Sequence, residues 1–91
     1  MRRSVPTVYI PSLLRDLAGG RDQVTVPGAT VGEVIASLER EFPGIKSRLC
    51  EGEAIRPGIA LVVGTAVSRQ GLRHPLAEDS EVHFLPAVSG G

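Results

Sequence analysis

Residues 30–44 carry the strongest local constraint in this chain. Thr30 followed three residues later by Glu33 is a capping-box pattern. The hydroxyl accepts from the Glu33 amide, and the Glu33 carboxylate is expected to accept from the Thr30 amide in return. Val31, Val34, Ile35, Leu38 and Phe42 follow at the spacing of one helical face, with Glu39, Arg40 and Glu41 largely on the other. Pro43-Gly44 stops the helix. One amphipathic helix of this length must bury its apolar stripe against another layer. With 91 residues in all, that layer has to come from the flanking segments of one small domain.

Those segments read as strands. Val5 to Ile10 alternates, with Val8 and Ile10 on one face and Thr7 and Tyr9 on the other. Pro11 ends it, Ser12 to Ala18 forms a short helical turn, and Gly19-Gly20 turns the chain. Asp22 to Val26 makes a second strand, so the first two form an antiparallel hairpin closed by Pro27-Gly28. After the helix, Ile45 and Leu49 continue a short second turn beneath the core, and Glu51 to Pro57 reads as a loop. The run Gly58-Ile59-Ala60-Leu61-Val62-Val63 reads as a central strand buried on both faces or nearly so. Ala66 to Arg69 is a short edge strand. Glu81 to Leu85 is the last strand, with Val82 and Phe84 facing one way and His83 and Leu85 the other. The expected fold is α+β: a mixed sheet of four to five strands gripping one main helix. The last strand pairs parallel to the first if the crossovers are right-handed.

Composition removes several function classes. Ten basic and ten acidic residues balance, so there is no electrostatic footprint for nucleic acid or an anionic membrane. Tyr9, Phe42 and Phe84 are the only aromatics and make no stacking platform for single strands. A single cysteine, Cys50, permits no intrachain disulfide and no cysteine-rich metal site. It is expected to act as a small, partly buried hydrophobe. His74 and His83 lack the paired Cys or carboxylate spacing of a metal site, so no metal is expected. No signal-length or membrane-length apolar segment is present, so a cytoplasmic protein is expected.

The chain ends Val88-Ser89-Gly90-Gly91 directly after an apolar strand. Two glycines leave a bare backbone that a partner can close around. The Gly91 α-carboxylate is then the candidate reactive group. It is ionised at neutral pH and a poor acyl donor, so it needs activation. Residues 87–91 are expected to form a flexible tail on a domain spanning residues 1–86. Extended, those five residues reach at most about 17 Å. If Val82 and Phe84 pack on the helix, His83 and Leu85 emerge on the open side of the sheet, joined by Tyr9. That patch is the candidate docking face.

The run Phe84-Leu85-Pro86-Ala87-Val88-Ser89-Gly90-Gly91, the preceding Asp79-Ser80-Glu81-Val82 and the helix start Thr30-Val31-Gly32-Glu33-Val34 together resemble the ubiquitin-like prokaryotic sulfur carriers. This family includes the molybdopterin synthase small subunit and the thiamine sulfur carrier. Ile10-Pro11-Ser12-Leu13-Leu14-Arg15 with Gly19-Gly20 looks most like the cysteine-synthesis carriers. Ser89 where alanine is usual and Val63-Gly64-Thr65-Ala66 in place of a Val-Asn-Gly turn depart from that pattern.

The resemblance implies the ubiquitin-like β-grasp fold and a chain with no catalytic groups or bound cofactor of its own. A ubiquitin-activating-like adenylyltransferase would use ATP and magnesium to adenylate Gly91. A sulfur source, with a sulfurtransferase as a candidate donor, would convert it to a thiocarboxylate. An acceptor enzyme, cysteine synthase-like or the molybdopterin synthase large subunit, would take the sulfur. Val88, Ser89 and Gly90 would thread the partner's site, while Leu85, His83 and Tyr9 dock outside it. Two other readings use the same residues: a protein modifier joined through Gly91 to target lysines, or a β-grasp interaction module with an inert tail.

Overall fold

The computed structural model describes residues 5–86. Five strands form one mixed sheet. They are β1 (Thr7–Tyr9), β2 (Gln23–Thr25), β5 (Ile59–Val63), β6 (Ala66–Val67) and β7 (Glu81–Pro86), in the order β2-β1-β7-β5-β6. β1 pairs antiparallel with β2 and parallel with β7, and β7 pairs antiparallel with β5. The main helix α1 (Val31–Glu41) and the short α2 (Ile45–Leu49) pack on one face. This is the mixed sheet on one helix that the alternation pattern predicts.

The core lies where the two periodicities meet. Val31, Val34, Ile35 and Leu38 of α1 are buried, and so are Val8, Val24, Leu61, Val82 and Phe84 of the sheet. Each fully buried aliphatic side chain contributes about 1.5–3 kcal/mol relative to exposure, which makes this stripe the main stabilising contact. Ile45 and Leu49 of α2 are buried as expected and close the far end. Leu14, Ala18 and Leu76 also enter the core, from segments that read only as turns.

Several local expectations change. The Thr30 hydroxyl accepts from the Glu33 amide at 3.2 Å, but the Glu33 carboxylate accepts from the Ala29 amide at 3.1 Å rather than from Thr30. Thr30 instead forms an antiparallel bridge with Pro75, flanked by Val31 N donating to His74 O and Leu76 N to Ala29 O. The returning strand segment therefore zips onto the helix start. Phe42 falls just beyond α1, half-buried, because the following Pro43 disfavours a helical conformation there. The 51–57 loop contains a two-stranded ladder, β3 (Cys50–Glu51) against β4 (Ala54–Ile55), turned by Gly52 at φ +64°. Its strands are two residues long, too short for alternation to register.

β5 is not buried on both faces. Only Leu61 is fully buried, Ile59 and Val63 pack partly on the core, and Ala60 and Val62 lie on the open side. The helices cover one side of the sheet only. Gly28 is required by close approach, since a Cβ there would sit 2.7 Å from the Val34 amide nitrogen. That contact lets the hairpin end pass tightly over the helix start. Ser37, buried within α1, donates to Pro27 O at 2.9 Å and ties the same two elements together.

Glu39 caps α2 from α1. Its carboxylate accepts from the Gly44 amide at 3.1 Å and from the Lys46 amide at 2.9 Å. Those bonds, Lys46 first, hold it below its ordinary value of 4.5.

Two predictions follow from this packing. Leu38→Ala should cost about 2–5 kcal/mol and Thr30→Ala nearer 1 kcal/mol in denaturant unfolding. The reverse order would show that the helix face is not the main support. Glu39→Ala should destabilise the fold at neutral pH. Because the native carboxylate's pKa is depressed, that contribution is present above the ordinary value and is lost as pH falls through the native one. Melting curves of both proteins should therefore converge in acid, and a gap that widens in acid would refute the cap.

Candidate functional site

Alternation along β7 splits its side chains between two jobs. Val82 and Phe84 are driven into the core, so His83 and Leu85 must stand on the open face. Register then decides their neighbours. Val67, Val62, His83, Tyr9 and Gln23 lie opposite one another in a single row across β6, β5, β7, β1 and β2. Leu85 lies opposite Ala60 in the next row of that face.

The rings of Tyr9 and His83 stack, with centroids 4.3 Å apart and planes 5° from parallel. Glu81 Oε1 lies 3.7 Å from His83 Nε2, on the far side of the row from Leu85. The three docking residues read from the sequence, Tyr9, His83 and Leu85, are thus brought onto one face. Leu85 is 47% exposed and Val67 66% exposed, while Tyr9, His83, Ala60 and Val62 are half-buried by one another. The result is an apolar surface with one imidazole and one phenol at its centre.

Val88, Ser89, Gly90 and Gly91 lie outside the described residues, and so does the boundary drawn at residue 87. The last described residue, Pro86, ends β7 beside two grooves. One, of about 390 Å³, runs along Tyr9, Pro11 and Arg15, and the other, of about 240 Å³, along Arg48, Gly58 and Ile59. Pro11, Leu13, Phe84, Leu85 and Pro86 border both.

Sequence reasoning missed Ala60, Val62, Val67 and Leu13 as parts of this surface. Strand alternation held the signal for the first two: if Leu61 faces the helix, its neighbours cannot. Leu13, on the 3₁₀ turn Ser12–Leu14, is 86% exposed, whereas Leu14 is buried. Adjacent leucines on a single turn cannot both reach the core.

The other candidates fall elsewhere. His74 Nδ1 shares a 2.7 Å hydrogen bond with Ser68 Oγ, which also accepts from the Gln70 amide, so it braces the loop after β6. Cys50 is buried, and desolvation pushes its thiol up. Among the described residues, no three metal-ligating side chains cluster, and no helix is long and apolar enough to cross a membrane. The open face offers contact area and shape, with Tyr9 and His83 half-buried at its centre and no thiol or lysine amine among its described residues.

The ThiS family matches residues 8–91. The chain is 37% identical over 92 residues to the sulfur carrier protein CysO of Mycobacterium tuberculosis, covering 93% of this chain and 97% of that protein. The crystal structure of the Amycolatopsis orientalis BexX/CysO complex contains a chain 38% identical to this one. It superposes with a TM-score of 0.86 over 94% of this chain and 99% of that one. The solution structure of small archaeal modifier protein 1 from Methanosarcina acetivorans matches at 25% identity and a TM-score of 0.80, covering all of both chains.

The opposed faces of β7 generate a direct test. Leu85→Asp should change unfolding free energy by no more than about 0.5 kcal/mol, as an exposed substitution. Phe84→Ala, one residue away, should cost about 3–5 kcal/mol. Comparable losses in a urea titration of the two variants would mean that the open face is not open.

Proposed function

This chain belongs to the ThiS family of ubiquitin-like sulfur carriers, and we propose that it carries sulfur as a thiocarboxylate on Gly91. In this reading a partner enzyme adenylates the Gly91 carboxylate with ATP and magnesium. Sulfide attacks the acyl carbon directly and AMP leaves. Where the terminal sulfur of a persulfide attacks instead, AMP leaves and an acyl disulfide forms; a second thiol of the donor then cleaves its S–S bond, releasing the thiocarboxylate and ending as a disulfide. The product, R–CO–S⁻, keeps its negative charge largely on a soft, polarizable sulfur and is a better nucleophile than the carboxylate. An acceptor enzyme takes the sulfur from it. The chain supplies a handle and a docking face and does no chemistry of its own.

The observation that carries this reading is the coupling of the two features in one strand. β7 presents Leu85 and His83 outward and then runs on to Ser89-Gly90-Gly91. A partner that covers the open face is therefore positioned to receive the segment beyond Pro86. The likeness to CysO supports cysteine synthesis as the destination, with a cysteine synthase-like acceptor rather than the large subunit of molybdopterin synthase. The likeness to the BexX/CysO complex supports a partner enzyme as the natural state of such a carrier.

A second reading is supported by the likeness to an archaeal modifier protein. There the same activated Gly91 would be attacked by a lysine of a target and form an isopeptide. The two readings share activation and differ in the nucleophile. Intact mass separates them: a thiocarboxylate appears on the free protein, a conjugate appears at higher mass.

The test is incubation of the untagged chain with ATP, magnesium, its activating enzyme and a sulfur donor. The intact mass should rise by the difference between sulfur and oxygen. Deleting Gly91, or extending the chain past it, should abolish that change, and Gly90→Ala should slow it by adding a Cβ to the threaded backbone. Leu85→Asp should weaken binding to the activating enzyme by more than about 2 kcal/mol if Leu85 is an interface anchor. Full activity without Gly90 and Gly91 would end both the carrier and the modifier readings.

A further inference from the structure

Leu13 is the most exposed large apolar side chain among the described residues, at 86%. It is not loosely held. Its 3₁₀ turn is closed by Leu14 N donating to Pro11 O at 2.9 Å and continued by Leu17 N donating to Leu14 O at 3.0 Å. Arg15 Nε donates back to Ile10 O at 3.2 Å, and Leu14 anchors the turn in the core. The turn therefore fixes Leu13 outward. A single exposed leucine needs no explanation, but a contiguous apolar rim does. With Pro11, Ile59, Leu85 and Pro86, Leu13 borders the groove of about 240 Å³ at the end of β7.

That groove joins the two layers of the fold. One wall is sheet, from Ile59 of β5 and Leu85 of β7, and the other is Arg48 of α2. It carries the apolar surface from the open face round the end of β7 to the helix side. Ile45 and Leu49 bury one side of α2, which leaves Arg48 exposed at the groove's edge. Arg48 is the only charged residue lining it among the described residues. Among those residues its guanidinium makes no hydrogen bond or ion pair, so its donors remain open. The neighbouring groove has Arg15 and Asp22 together and so no single sign of charge.

We propose that the Leu13–Arg48 groove is a socket for the activating enzyme. It receives one apolar side chain of that enzyme between Leu13 and Leu85, and Arg48 pairs with a carboxylate next to it. The inference rests on the reading that the open face docks this enzyme, and it extends the contact beyond that face to α2. Charge complementarity selects the occupant. A partner that fills the groove takes water from the guanidinium, and a cation so covered is costly unless it is paired. The planar fork of arginine matches a carboxylate with two parallel hydrogen bonds. A second copy of this chain is a poor occupant. In a two-fold contact the same patch meets itself, and this groove would offer another Arg48 and no carboxylate. Because the turn is already braced, little ordering is needed when Leu13 is covered.

The test is the affinity of the full chain for the activating enzyme, measured by calorimetry without ATP so that no chemistry at Gly91 enters. Leu13→Ser and Arg48→Glu should each raise Kd about tenfold or more. Arg48→Lys, which keeps the charge and loses the fork, should fall between wild type and Arg48→Glu. Added salt should weaken wild type more steeply than Arg48→Gln. Both positions are exposed, so circular dichroism melts of the variants should coincide with wild type. Wild-type affinity in Leu13→Ser and Arg48→Glu, with Leu85→Asp still weak, would overturn the socket and leave the docking face standing. Wild-type affinity in all three would remove the docking face as well. A homodimer in sedimentation that Leu13→Ser abolishes would assign the groove to a second copy and likewise overturn the inference.

Discussion

The pairing of β7 on both sides is the constraint on which the rest of the structure depends. This strand lies between β1 and β5, parallel to one and antiparallel to the other. A parallel partner cannot be reached by a tight turn, so everything between residues 10 and 80 has to cross over and return. α1 is the main element of that crossover, and its apolar stripe covers the sheet as it passes. The strand that closes the fold is therefore also its centre. Because side chains alternate with period two, the residues that lock β7 into the core necessarily set which residues face out.

That geometry separates stability from contact. Val82 and Phe84 are buried beneath the helix, while His83 and Leu85 do nothing for the core. Substitutions on the buried face report on folding, and those on the open face leave the core untouched, which is what makes the proposed docking role testable. The open face stays free of cover because both helices are spent on the opposite side. An antiparallel-rich sheet with one wet side tolerates this arrangement when its outward residues are small or capped by one another, as with Tyr9 on His83.

The parts legible in the sequence were those with a long period or a repeated pattern. α1 announced itself through Thr30, Glu33, its apolar spacing and Pro43-Gly44, and β7 through strict alternation. The shared open face of Tyr9, His83 and Leu85 followed from that alternation alone. What stayed hidden was set by tertiary contact. Leu76 carries no local sign that it returns to pair beside Ala29 and enters the core. The β3–β4 ladder is too short to show a period. The five apolar residues of β5 masked a one-sided strand, because Ala60 and Val62 are apolar for the open face rather than for the interior. Leu13 was invisible for the same reason: an exposed leucine on a turn looks like a core leucine until the core is seen to be full.

One fold hosts both carriers and modifiers, and the structure explains why the fold cannot choose between them. Among the described residues, neither a lysine amine nor a thiol lines the open face or the grooves beside Pro86. In the reading proposed above, a nucleophile from outside attacks the activated glycine, and its identity decides the product: sulfur gives a thiocarboxylate, an amine gives an amide. The two products differ in fate as well as in atoms. A thiocarboxylate remains nucleophilic and can pass its sulfur on, so the carrier returns with a carboxylate and can be charged again. An amide is a stable end point that consumes the carrier until a protease frees it. In the carrier reading the chain is charged repeatedly, and capture by an amine would remove it from the cycle. Of the ten basic residues one is lysine, so under that reading the chain carries few side-chain amines that could capture its own activated end.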